Sequence, residues 1–180
     1  MRARLLRVRQ AIAGPERERM NAAIRDRLLS LPQVIHAGTV FCFISFADEV
    51  DTHALIKRLQ EQDKVIVVPK TLKGGEMAAI RLGAWDTLET DGFGILVPQS
   101  SQPYTAVIDI CLTPGLGFSP SGHRLGYGRG YYDNWFAKNR VAHKIGIGYD
   151  CQVLDDIPVN ESDVPLDLIV TEKRLYPATG

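Results

Sequence analysis

Three apolar, β-branched runs constrain this chain more than any other feature. They occupy residues 39–46, 64–69 and 106–112, and each is of strand length. None alternates apolar with polar residues as a half-exposed strand would, so the pattern predicts buried, parallel strands. Between the first two runs, a segment opening near Thr52 turns Leu55, Ile56 and Leu59 inward at helical spacing. Strand, helix and strand in succession make a βαβ unit with a right-handed crossover. Residues 144–149 and 168–171 supply two further strands, and residues 131–138 a helix. Two helices precede the first strand: residues 2–13, with Leu5, Leu6, Val8 and Ile12 apolar, and a second opened by Gly14-Pro15 and ended by Pro32. The Gly74-Gly75 turn predicts an edge hairpin over residues 71–82. Residues 83–104 read as an irregular loop anchored by Trp85, Leu88, Phe93 and Ile95. The result is an α/β fold with a mostly parallel sheet.

At 180 residues the chain suits a single domain spanning residues 1–180. Its 21 basic and 21 acidic residues cancel, which excludes a general nucleic-acid binder. The longest apolar run is far too short to cross a bilayer, so no membrane partner is expected. Cys42, Cys111 and Cys151 are odd in number and far apart, the usage of reduced thiols in a cytoplasmic protein. The four histidines have no zinc-ligand spacing, and no serine sits in a nucleophile elbow. A sugar-phosphate isomerase on a related scaffold would need an acid/base pair that the sequence does not display.

Residues 115–133 hold six of the 16 glycines: Gly115, Gly117, Gly122, Gly126, Gly128 and Gly130. Glycine costs backbone entropy on folding, so such a cluster needs a tight turn or a close approach to a ligand. The stretch leaves the carboxyl end of the third apolar run, where open α/β sheets bind ligands. It ends at the start of a helix, whose free N–H groups and dipole suit phosphate. Arg124 and Arg129 add donors and charge. Asp133 is placed either to stabilise the helix end or to bind Mg²⁺ beside phosphate. The acidic exit of the first run, Asp48-Glu49, should face the same edge, where Glu49 is either a solvated acid or an acceptor for an amino-heterocycle.

The motif from Gly122 through Arg124-Leu-Gly-Tyr-Gly-Arg-Gly-Tyr-Tyr-Asp133 resembles the signature of the 5-formyltetrahydrofolate cyclo-ligase family. Residues 43–52 and 158–171 resemble its folate-side and C-terminal segments. The resemblance implies a three-layer α/β/α domain that uses ATP and Mg²⁺ to convert 5-formyltetrahydrofolate to 5,10-methenyltetrahydrofolate, releasing ADP and phosphate. It implies that Arg124, Leu125, Gly126, Tyr127, Gly128, Arg129, Gly130, Tyr131 and Tyr132 surround the ATP phosphates. Tyr127 to Tyr131 would also face the folate, with Ile44 and Glu49 on the pterin side. Asp133 and Asp167 would hold Mg²⁺, with no protein nucleophile and a monomer expected. The family's N-terminal Lys-x-x-Leu-Arg, which reaches ATP, has no lysine here; Arg2, Arg4 or Arg7 would stand in, and Arg2 and Arg7 are the chosen candidates. Arg129 occupies a place where the family often has Gly or Lys.

Overall fold

The computed structural model describes residues 1–92 and 94–178. In chain order, α1 (Arg2–Gln10), α2 (Gly14–Leu29) and α3 (Pro32–His36) lead into β1 (Thr39–Cys42), α4 (His53–Glu61), β2 (Val65–Thr71) and β3 (Met77–Arg81). A small hairpin of β4 (Leu88–Thr90) and β5 (Leu96–Pro98) precedes β6 (Ile108–Thr113). The short strands β7 (Gly117–Phe118) and β8 (Arg124–Leu125) follow, then α5 (Tyr131–Lys138), β9 (Val141–Ile147), β10 (Leu168–Val170) and β11 (Leu175–Pro177).

Seven strands form the main sheet in the order β11-β10-β9-β6-β1-β2-β3. The five inner strands are mutually parallel, and only the edges β3 and β11 run antiparallel. Side chains alternate across the strands as the pleat requires. Val40, Cys42, Ile66 and Ile110 pack with Ile24 and Leu28 of α2, Val34 of α3, and Leu55 and Leu59 of α4. Phe41, Val67 and Cys111 point the other way, onto Trp135 and Phe136 of α5. Helices therefore cover both faces, giving the three-layer α/β/α arrangement.

Three local expectations change. The first apolar run continues to Phe46, yet its ladder stops at Cys42. Beyond that point side chains take over: Thr52 Oγ1 donates to the Phe43 carbonyl (2.7 Å) and accepts from Ser45 N–H (2.9 Å), while Ser45 Oγ accepts from Thr52 N–H (3.0 Å). These bonds bend the chain off the sheet and hold the Asp48-Glu49 loop. Pro32 starts α3 instead of merely ending α2, as suits a proline in a first helical turn. Residues 83–104 are not wholly irregular, because they contain the β4–β5 hairpin. Lys70 Nζ clamps it to the sheet edge by donating to the carbonyls of Pro98 (2.5 Å), Gln99 (3.1 Å) and Ser100 (3.2 Å). Phe93, expected as an anchor of this segment, lies outside the described residues.

Phe118 is fully buried, and several glycines make room for its ring. A Cβ at Gly148 would lie 2.5 Å from it, and one at Gly146 or Gly115 2.7 Å. Gly148→Ala is therefore expected to overpack this site and lower stability by about 1–3 kcal/mol. Urea unfolding checks this, and a wild-type midpoint for the variant would contradict the packing.

Candidate active site

A cavity of about 1380 Å³ opens beside the carboxyl end of the parallel strands. It exceeds the roughly 300–1,000 Å³ of pockets that hold one small molecule. Residues 126–130 form one wall, and the loop of Phe46, Asp48 and Glu49 forms another. The N-terminal helix α1 closes the back with Arg2, Leu6 and Arg9.

The glycine cluster divides into two groups with different uses. Gly115, Gly117 and Gly122 clear protein atoms: the Phe118 ring, Leu5 and the Leu166 carbonyl. They let β7 and β8 fold back as a short ribbon (Gly117 opposite Leu125). Gly126, Gly128 and Gly130 instead face the cavity. Among the described residues no atom beyond its chain neighbours lies within 4 Å of a Cβ built at Gly126, and at Gly128 the nearest is the Arg2 guanidinium at 3.9 Å. Gly128 (φ 98°) and Gly130 (φ 62°) are left-handed, a conformation that other residues adopt only with strain. Gly130 is the N-cap of α5 and, having no side chain, offers no capping acceptor to the first-turn N–H groups.

Arg124 and Asp133 lock this loop at its base. Arg124 is 9% exposed, and its Nη2 lies 2.8 Å from Asp133 Oδ1. Its Nη1 donates to the Val164 carbonyl at 3.2 Å, and its guanidinium lies 5.6 and 5.5 Å from the Tyr132 and Phe136 ring centres. Asp133 Oδ1 also accepts from Val164 N–H at 3.0 Å. Both residues line the cavity. Tyr132 lines it too, and its buried hydroxyl has no hydrogen-bond partner among the described residues. Burial pushes that hydroxyl well above the ordinary tyrosine range, so it stays protonated and able to donate.

On the opposite wall, Arg9 Nε donates to Asp48 Oδ2 at 2.7 Å, and Arg9 Nη2 donates to the Tyr127 hydroxyl at 2.9 Å. The Tyr127 hydroxyl in turn reaches Glu49 Oε1 at 3.4 Å. The two neighbouring carboxyls are driven apart. Burial raises Asp48, but the hydrogen bond and charge of Arg9 outweigh it and leave Asp48 below its ordinary value. Burial dominates at Glu49, which ends above its ordinary value despite the Phe46 N–H, Arg9 and Tyr127.

Most of the expected residues thus meet at one cavity: Arg124 to Asp133, Glu49 and Arg2 all line it. Arg2 Nε donates to the Gly126 carbonyl at 2.9 Å. Three candidates stand elsewhere. Arg7 is exposed on α1 and is not part of the wall. Ile44 is 5% exposed and packs in the core behind the cavity. Asp167 lies outside the wall, accepting from Lys144 N–H at 2.6 Å with Lys144 Nζ 3.5 Å from its other oxygen. Sequence reading missed Arg9, which is 3% exposed, whereas Val8, assigned to the apolar face, is 39% exposed. The available signal was spacing: Arg2, Leu5 and Arg9 recur on one helical face.

A three-layer α/β protein with a large cavity between a glycine-rich loop and an acidic loop is the class defined by this fold and site. The sequence profile of the 5-formyltetrahydrofolate cyclo-ligase family matches residues 1–172, and the chain belongs to that family of enzymes. Among relatives, a probable 5-formyltetrahydrofolate cyclo-ligase of Caenorhabditis elegans is 30% identical over 89% of this chain and 85% of its own length. The 5-formyltetrahydrofolate cyclo-ligase of Escherichia coli is 29% identical over 93% of this chain and 96% of its own. The solved structure of Aquifex aeolicus 5,10-methenyltetrahydrofolate synthetase superposes with a TM-score of 0.86 at 28% identity, covering 99% of this chain and 91% of that one.

Proposed function

We propose that the protein converts 5-formyltetrahydrofolate to 5,10-methenyltetrahydrofolate, cleaving ATP to ADP and phosphate. The observation that carries this reading is one cavity with the glycine-rich loop on one wall and the Glu49 carboxylate on the other. Its volume suits two ligands side by side.

In this reading the exposed edges of Gly126, Gly128 and Gly130 let ATP phosphates approach the backbone, and N–H groups at the start of α5 bind them. Arg2 and Arg129 add positive charge at the rim. Glu49 accepts from the pterin, with the Tyr127 side chain between the two ligands. The formyl oxygen attacks the γ-phosphorus, forming an O–P bond as the bond to ADP breaks. N10 of the same folate then attacks the formyl carbon and loses its proton, and the phosphate leaves with the former formyl oxygen. Both steps depend on alignment and charge neutralisation, which needs no protein nucleophile.

Among the described residues no group of three or more His, Cys, Asp or Glu side chains is placed to hold a metal ion. A Mg²⁺ ion arriving with nucleotide needs only one or two carboxylates beside phosphate and water, and Asp133 on the wall supplies one. Bound there, the ion would neutralise phosphate charge. Asp167 would serve as the second carboxylate only by leaving Lys144. Among the described residues no helix is long and apolar enough to cross a membrane, and the proposed setting is the cytoplasm.

The Tyr132 hydroxyl is sealed from solvent with no partner among the described residues, and a buried donor left so costs about 1–3 kcal/mol. Tyr132→Phe should then leave the melting temperature unchanged or raised, with KM values for ATP and folate near wild type. A lower melting temperature would mean the hydroxyl serves the fold instead. The function itself is tested by incubating the purified protein with 5-formyltetrahydrofolate, ATP and Mg²⁺ and following methenyl absorbance.

A further inference from the structure

Arg9 joins three segments that are far apart in sequence. It projects from α1, its Nε binds Asp48 in the loop after β1, and its Nη2 binds the Tyr127 hydroxyl in the glycine-rich loop. Its own backbone carbonyl is held by Arg17 Nη2 at 3.0 Å, which ties it to α2. Burial disfavours its charge, and the bonds to Asp48 and Tyr127 outweigh that cost. A buried guanidinium is well suited to this task, because its planar fork offers donors in fixed directions to two acceptors at once.

Tyr127 needs such a tie. It stands 56% exposed between Gly126 and Gly128, and a chain so rich in glycine has little stiffness of its own. Arg2, two helical turns from Arg9 on the same face of α1, grips the loop at the Gly126 carbonyl. With Arg9 on the side chain of Tyr127, the loop is held at two neighbouring residues.

We propose that Arg9 is a positioning residue: holding Asp48 and the Tyr127 hydroxyl together, it sets the spacing between the glycine-rich wall and the Asp48-Glu49 wall. The inference rests on the proposed function for its consequence, that both ligands lose binding when the spacing is lost. Its structural part does not depend on turnover. Arg9 itself need not touch either reacting group.

The test uses the full chain with Arg9→Met, Arg9→Lys, Tyr127→Phe and the Arg9→Met/Tyr127→Phe double variant. Tyr127→Phe keeps the Arg9–Asp48 pair, so it remains informative if Arg9→Met folds poorly. The first readout is tryptic cleavage after Arg129, which is exposed in the same loop, measured without ligand well below the melting temperature. Losing one such hydrogen bond should raise the cleavage rate about tenfold. Arg9→Met and Tyr127→Phe should show similar increases, with the double variant close to Arg9→Met alone. The second readout is KM, which should rise several-fold for ATP and for 5-formyltetrahydrofolate together, with Arg9→Lys intermediate. Unchanged cleavage in both single variants, or increases that multiply in the double variant, would overturn the inference. Lowered melting temperature with wild-type KM values would also overturn it, since a merely structural arginine would behave that way. A wild-type protein without ATP-dependent turnover strikes the functional reading, while the cleavage rates still decide the role of Arg9.

Discussion

Arg124→Ala is expected to lower stability by about 2–4 kcal/mol and to remove most ATP-dependent turnover. The stability loss follows from what the guanidinium holds: Asp133 at 2.8 Å, the Val164 carbonyl at 3.2 Å and two aromatic faces. With only 5% of its side chain exposed, water cannot replace these contacts in place. The activity loss follows from position, because Arg124 lies at the base of the loop proposed to bind phosphate. Arg124→Lys should recover part of the stability, since an ammonium reaches one partner but not the planar set. Thermal unfolding and KM for ATP measure the two effects. A folded alanine variant with unchanged KM would remove Arg124 from the phosphate site.

Asp133→Asn is expected to reduce turnover on the order of 10²-fold or more while costing only about 1–2 kcal/mol of stability. The amide oxygen can still accept from Val164 N–H, so the α5 start keeps its anchor. What disappears is the negative charge that faces the cavity and offsets Arg124. Alanine is a poorer probe, because it removes the acceptor for Val164 N–H and Arg124 along with the charge and so mixes folding with chemistry. Turnover by Asp133→Asn at varied Mg²⁺ separates the two. Wild-type rates at all Mg²⁺ concentrations would exclude a role for the carboxylate.

Much of this architecture was legible in the sequence because its inner strands are buried on both faces. The runs around Phe41, Val67 and Cys111 therefore read plainly as parallel strands. The glycine-rich stretch was legible as one unit, but not the division within it between packing and cavity-facing glycines. Gly115 and Gly122 clear Phe118 and Leu166, whereas Gly126 and Gly128 open toward the cavity, and only tertiary packing separates the two groups. The β4–β5 hairpin was missed because three-residue strands are too short to show alternation, and its tie to Lys70 is a long-range contact. Arg9 was missed because a charged residue on an N-terminal helix is ordinarily a solvated one, and its partners Asp48 and Tyr127 come from distant segments. Asp167 illustrates the reverse case: the motif that contains it resembles the family, yet its carboxylate is engaged by Lys144 outside the cavity wall.

The proposed activity is tested most directly by the appearance of 5,10-methenyltetrahydrofolate from 5-formyltetrahydrofolate with purified protein, read by absorbance alongside released ADP. Product is expected only when ATP and Mg²⁺ are both present, with one ADP per methenyl group formed. A folded protein that yields no product, or yields it at the same rate without ATP, would contradict it.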